Sequence, residues 1–302
     1  MKHAYLIMAH NEFGILEKII KLIDDERNDL FIHIDKKVKD FDFKKFGEIP
    51  KKSKIYFTKR IDVRWGTESQ IACEYIVLKH ATSTNKYAYY HLLSGMDIPL
   101  VNQDTIHSFF DKHQGKEFVH FFSHHSIKDN RLERIKYYHF FIKNLRSKNK
   151  LKMKIAHKLH RLSLKIEKKL KINRTKGKDY WYGANWFSIT DDLARYVVSL
   201  EKSIKKEFKT TFCADELFLQ TIVYRSDFHK NLYKKADDDY EQIKRCIDWK
   251  RGKPYVYRLA DYDELMNSKQ FFARKLNTKD STDLVNKIYK KLMHKKKNNK
   301  LN

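Results

Sequence analysis

Near its start the chain reads Ala4-Tyr5-Leu6-Ile7-Met8-Ala9-His10-Asn11, continues through Ile15-Leu16-Glu17-Lys18-Ile19-Ile20-Lys21-Leu22-Ile23, and reaches Leu30-Phe31-Ile32-His33-Ile34-Asp35. The apolar run over residues 4–9 predicts a buried strand. Ile15, Leu16, Ile19, Ile20 and Ile23 recur at the spacing of a helix with one face on a core. Residues 30–34 predict a second strand ending at Asp35. A strand, a helix and a strand in succession pair in parallel, with the helix on one face of the sheet. The alternation continues with a strand over residues 54–57, a helix over 69–81 and a strand over 87–93. The fold class is therefore α/β, with a central, mostly parallel sheet flanked by helices. In such sheets ligands bind beyond the carboxyl ends of the strands, near a topological switch point. That rule selects His10-Asn11, His33-Ile34-Asp35 and Ser94-Gly95-Met96-Asp97.

Composition sets outer bounds. The 302 residues are 41% hydrophobic and 14% aromatic with only 8 Gly and 3 Pro, which excludes disordered and collagen-like classes. No apolar run approaches the roughly 18 residues of a membrane-spanning helix. Residues 4–9 are too short for a signal-peptide core and lead into His10-Asn11-Glu12, not a small-residue cleavage site. Three cysteines (Cys73, Cys213 and Cys246) are an odd number, from which reduced thiols and a cytoplasmic location are expected. Without a Cys-x-x-Cys pair, no structural zinc site is expected.

The net charge of +26 is localised. Residues 143–178 hold 15 Lys or Arg against one acid, Glu167, and residues 287–302 hold seven Lys and no acid. These segments account for 21 of the 26 charges, so the rest of the chain is nearly ordinary. The first segment is amphipathic: Ile155, Leu159, Leu162, Ile166 and Leu170 share a face, with Lys158, Arg161, Lys165, Lys168 and Lys169 around it. A helix packed on the core, a helix on an anionic membrane and a nucleic-acid contact all fit that pattern. Lys outnumbers Arg 50 to 14, which suits diffuse attraction to phosphate better than bidentate reading of bases.

Neither a P-loop nor Gly-x-Gly-x-x-Gly occurs, and Gly-x-Ser-x-Gly and His-Glu-x-x-His are also missing. Asp-x-Asp patterns at Asp40/Asp42, Asp237/Asp239 and Asp261/Asp263 could hold a divalent cation; each fits a turn or a cap as well. Asp215-Glu216 opens an apolar stretch over residues 217–223. As helix-capping acids they need no chemistry; as a carboxylate pair they could supply a general base.

Several segments, taken in order, carry a resemblance. They are residues 4–10, Phe31-Ile32-His33-Ile34-Asp35, Arg64-Trp65-Gly66, Leu93-Ser94-Gly95-Met96-Asp97-Ile98-Pro99, Gly183-Ala184-Asn185-Trp186-Phe187, Asp215-Glu216, Asp261, and Phe272-Ala273-Arg274-Lys275. Over residues 3–276 the chain resembles glycosyltransferase family 14, the core-2/I-branching β-1,6-N-acetylglucosaminyltransferases and peptide O-xylosyltransferases. The resemblance implies a variant of the GT-A fold and an inverting, metal-independent transfer from a UDP-sugar, with no cofactor. Glu216 matches the family's catalytic base. Arg251 and Lys275 match its diphosphate-binding cations, with Arg258 and Arg274 as further cations nearby. Asp35 and His10 are the expected nucleotide contacts, although His10 and His33 also fit as core histidines. Trp186 and Asp215 are the expected acceptor or sugar contacts, and Trp65 is a second aromatic candidate.

The expected organisation is one glycosyltransferase domain over residues 1–276, interrupted by a basic helical insertion at 129–178, and a polar, basic helix and tail over 277–302. Animal members carry a membrane anchor and disulfides; neither is expected here, which fits a bacterial-type member. The expected donor is UDP-GlcNAc. The expected acceptor is a lipid-linked glycan in surface polysaccharide or glycolipid synthesis, at the inner face of the plasma membrane and without nucleic acid as a partner. A metal-dependent Asp-x-Asp transferase and a non-catalytic polyanion-binding or nucleic-acid-binding protein are the alternatives.

Overall fold

The computed structural model describes residues 1–122, 132–234 and 240–298. Its strands are β1 (His3–Ala9), β2 (Asn28–Ile34), β3 (Lys54–Phe57), β4 (Tyr89–Ser94), β5 (Ile98–Pro99), β6 (Phe118–Val119), β7 (Phe187–Thr190), β8 (Arg245–Ile247) and β9 (Phe272–Arg274). Six of them form a sheet in the order β3-β2-β1-β4-β7-β6. The first four in that order are parallel, and β7 runs antiparallel to both β4 and β6. Ala9 lies beside Ile34 and Met8 beside Ser94, so β1, β2 and β4 end at one level. The chain moves from β1 outward to β3 and then crosses to β4. The switch point therefore lies between β1 and β4, as the strand order requires.

Strand β1 is buried on both faces. Tyr5, Ile7 and Ala9 join the core beneath the helix Phe13–Ile23, while Ala4 and Leu6 join the core beneath the helix Ser69–Thr84. Strand β2 begins two residues before the apolar run because its polar start is satisfied internally. Asn28 donates to Gln103 at 2.8 Å, and Asp29 accepts from the Tyr87 hydroxyl at 2.8 Å. The expected polar C-terminal helix does not stand apart from the domain. The helix Thr278–Asn298 buries Leu284, Val285, Ile288 and Leu292 in the core of the helix Phe13–Ile23, and Glu12 accepts from the Thr278 backbone at its start.

A second sheet, β5-β9-β8, carries the chain back to the switch point. Ile98 pairs with Ala273, and the Leu276 N–H donates to the Met96 carbonyl at 3.1 Å, so Arg274 and Lys275 lie beside the loop after β4. Arg245 joins the two sheets from a fully buried position. It donates to the carbonyls of Ile243 at 2.6 Å and Phe187 at 3.3 Å, and packs over the Phe272 ring. Burial depresses its pKa to about 10, against the attraction of Asp97.

Within the basic insertion, whose residues 129–131 lie outside the described residues, the main element is the helix Lys150–Lys169. It packs through Ala156 and Glu167, while Ile155, Leu159, Leu162 and Ile166 face solvent. Its apolar line is thus not the face set on the core.

Candidate active site

At the end of β2, Asp35 is buried and surrounded by donors. Its carboxylate accepts from the Lys37 backbone and ammonium, both at 2.8 Å, and from the Val63 N–H at 3.3 Å. Arg60 caps the strand end through the carbonyls of Ile34 and Asp35. His33 is a satisfied core histidine: its Nε2 accepts from the Ile61 N–H at 3.1 Å, and burial lowers its pKa to about 4. His10 is the exposed one of the pair. Partial desolvation of its ring lowers its pKa, Asp35 opposes that, and Lys37 and Lys275 reinforce it. His10, Asp35 and Lys275 therefore converge at the switch point.

Cations gather on the β4 side. Asp97 accepts from the Ser94 N–H at 2.7 Å and from its hydroxyl at 2.9 Å, and stands 3.6 Å from the Arg274 guanidinium. That guanidinium lies over Trp186 at 3.9 Å, and the ring is only 8% exposed, so Arg274 already occupies a face expected to take a sugar. Lys275 has its pKa lowered by burial and then by Arg274 and Arg146, with Glu12 opposing. Arg146, Arg274 and Lys275, opposed by Asp97 and Glu12, leave a positive cluster at a strand end, of the sign that stabilises a leaving diphosphate. Arg146 has no signal of its own in the basic segment. It lies 3.5 Å over Trp65, which is 47% exposed and packs edge-on against Phe212.

Glu216 is held by a different part of the chain. It belongs not to the start of an α-helix but to a 3-10 turn, Ala214–Glu216, which precedes the helix Phe218–Tyr224. The turn is set from a distance. Cys213 is left-handed at φ 49°, and its N–H donates to the carbonyl of Gly66 at 3.0 Å. Gly66 is itself left-handed at φ 77°, and a Cβ there would fall 2.6 Å from the Phe212 ring. The Glu216 side chain is about a quarter exposed and accepts from Arg134 at 2.5 Å. Arg134, from the helix Glu133–Lys136, also packs over Tyr182 and Phe212. The Glu216 carbonyl accepts from the Gly183 N–H at 3.0 Å. Arg146 ties the two sides together, since its charge acts on Lys275 and on Cys213 next to the turn.

Two expected contacts are placed differently. Asp215 is buried, and its Oδ2 accepts from the Gln70 amide at 2.6 Å. Burial, reinforced by the Glu216 charge, pushes its carboxyl up to about 7. It supports the turn from inside instead of offering a surface to a sugar. Arg251 is engaged by three carboxylates: Asp248, Asp261 at 3.0 Å and Glu264 at 2.7 Å. Its link to Lys275 runs through Tyr255 and Tyr257, which it packs against and whose backbones pair with that of Lys275.

Two acids of the Asp-x-Asp patterns have local work. Asp42 caps the helix Phe43–Gly47 through the Lys45 N–H, and Asp261 closes a capping box with Arg258 while pairing with Arg251. Asp237 and Asp239 lie outside the described residues.

The model of the Core-2/I-branching enzyme family matches residues 3–270. The chain belongs to that family, and it is a glycosyltransferase. No curated protein matches it in sequence. Among solved structures, mouse xyloside xylosyltransferase 1 in its apo form is similar at 9% identity, over 90% of this chain and 96% of that one, with a TM-score of 0.37. A likeness that slight carries no argument about function.

Proposed function

We propose that the protein transfers a sugar, GlcNAc being the expected one, from a UDP donor to a hydroxyl of a lipid-carried glycan, with inversion and without a metal. The observation that supports this reading is that Arg274 and Lys275 lie beside the loop after β4, while Arg146 acts both on Lys275 and on Cys213 in the turn that holds Glu216. His10 and Asp35, just after β1 and β2, are assigned to the nucleoside. The acceptor oxygen attacks the anomeric carbon from the face opposite the diphosphate. As the new C–O bond forms, the bond to the UDP oxygen breaks, and the hydroxyl proton passes to the Glu216 carboxylate. The negative charge developing on UDP is met by the cation patch, the role a divalent ion plays in metal-dependent transferases.

UDP release measured across a panel of UDP-sugars, with EDTA or with Mn²⁺, tests the proposal without knowledge of the acceptor. Release from one donor that survives EDTA and is lost in Glu216→Gln supports it. Release abolished by EDTA overturns the metal-free mechanism. No release, together with no rise in melting temperature on adding UDP, overturns the nucleotide-sugar reading.

A further inference from the structure

We propose that the helix Lys150–Lys169 and the aromatic loop before it form a docking surface for an anionic lipid bilayer. Of the thirteen large hydrophobic residues exposed among the described residues, nine lie between residues 138 and 170. Three are aromatic, Tyr138, Phe140 and Phe141; the others are Leu151, Ile155, Leu159, Leu162, Ile166 and Leu170. At 3.6 residues per turn those six aliphatic positions fall within an arc of about 100°. Lys154, Lys158, Arg161, Lys165 and Lys169 flank that arc on one side.

The helix is held to the loop before it by a different face. Glu167 accepts from the Tyr138 N–H at 2.7 Å, the His160 ring bonds the Phe140 carbonyl at 3.0 Å, and the His157 ring bonds that of Leu145 at 3.1 Å. The apolar line is therefore directed outward by the packing of its own helix. It is not an interior face left without a partner.

Charge decides the occupant. Residues 143–178 carry 15 Lys or Arg against one acid, and that acid, Glu167, is turned inward. A second copy set on the same face would bring like charges together. A nucleic acid would satisfy the lysines and leave a line of Leu and Ile in contact with phosphates. A bilayer surface satisfies both: anionic headgroups take the lysines, and the boundary with the acyl chains takes the aliphatic and aromatic side chains. The same insertion supplies Arg134 to Glu216 and Arg146 to Trp65, so docking would set the candidate site beside the membrane. That last consequence rests on the transferase reading, whereas the docking itself does not.

The test is co-sedimentation of the full chain with phosphatidylcholine vesicles, with and without phosphatidylglycerol, at low and high salt. It needs no turnover, so its result is independent of the transferase reading. Binding is expected to the anionic vesicles, to be weakened by salt, and to fall about tenfold or more in Leu159→Glu/Leu162→Glu. Both positions are exposed, so the melting temperature of that variant should be unchanged; if it drops, Leu162→Gln/Ile166→Gln carries the same comparison. Protein left in the supernatant with anionic vesicles at low salt overturns the proposal. So does vesicle binding that both stripe variants retain in full, which would reduce the effect to diffuse lysine attraction. Duplex DNA bound equally by wild type and stripe variant in place of vesicles would assign the face to nucleic acid. Self-association abolished by the stripe variant, without vesicle binding, would assign it to a second copy.

Discussion

Arg134 donates to Oε2 of Glu216 at 2.5 Å across 82 positions of sequence, so the candidate base is oriented by a cation from the basic insertion. A carboxylate held this way has one preferred rotamer, and Tyr182 and Phe212 keep the guanidinium from following its own. Glu216→Gln retains the shape and an oxygen to accept from Arg134 but cannot take a proton. Transfer should fall by about 10²–10⁴-fold, the usual contribution of a general base. UDP binding, measured by calorimetry, should stay within about twofold, because no donor contact is removed.

Arg134 acts through Glu216 and is a positioning residue. Arg134→Gln should lower kcat about tenfold or more with little change in the donor KM, and Arg134→Lys should recover part of the loss. A rise in donor KM with kcat intact would instead place Arg134 on the nucleotide.

How much of this is legible in sequence depends on the range of the forces involved. Strands β1, β2 and β4 can be read because a strand buried on both faces is nearly continuous in apolar residues, and the residue after each run marks the ligand end of the sheet. Strands of two to four residues such as β6 and β9 exist only through their partners. The turn holding Asp215 and Glu216 imitates a helix start in sequence because its geometry comes from Cys213 bonded to Gly66, nearly 150 positions away. Arg134 and Arg146 are hidden for the opposite reason: in a segment this basic, no spacing separates a guanidinium aimed at a carboxylate from its solvated neighbours. The C-terminal helix carries an apolar period at Leu284, Val285, Ile288 and Leu292, which the surrounding lysines mask.

The cation patch makes a prediction that separates its members. Lys275→Met and Arg146→Met should each weaken UDP about tenfold or more, the order expected when one charge-assisted contact is lost. Arg251→Met should weaken UDP less and lower the melting temperature instead, since its guanidinium already serves Asp248, Asp261 and Glu264. Titration calorimetry and a thermal melt on the three variants decide it. A loss of UDP affinity confined to Arg251→Met would mean that it leaves its carboxylates to bind the diphosphate.

Gly183 offers a steric test of how the base is held. A Cβ there would lie 1.8 Å from the His120 carbonyl oxygen, a contact that no side-chain rotation relieves. The segment must move, and with it the N–H that donates to the Glu216 carbonyl. Gly183→Ala should therefore destabilise the protein by roughly 2–4 kcal/mol, in the range of severe overpacking. Activity at a temperature where the variant is still folded should fall as well. Wild-type melting and turnover in that variant would show that the loop is not fixed in this position.

Stability should fall on acidification, and the sign depends on which buried groups dominate. Burial holds His33, His107 and His139 to about 4 and pushes His3 and His91 well below their ordinary value. Unfolded histidines titrate near 6.5, so between about pH 6.5 and 4 the unfolded chain takes up protons that the folded one refuses. Glu74, Glu117 and Asp215 work the other way. Burial raises their pKa values, Glu117 and Asp215 to about 7, so the stability they contribute at low pH is lost as pH rises toward 7. Five histidines against three acids leave a net loss of stability as pH falls from 6.5 to 4. His107 is the cleanest probe, since its Nε2 pairs with the Asn28 amide oxygen at 2.9 Å, a contact that glutamine can replace. Denaturant titrations at several pH values should give His107→Gln a flatter profile than wild type, with a difference on the order of 3 kcal/mol by pH 4. Parallel profiles would mean that His107 is protonated within the fold and that its burial is relieved by local opening.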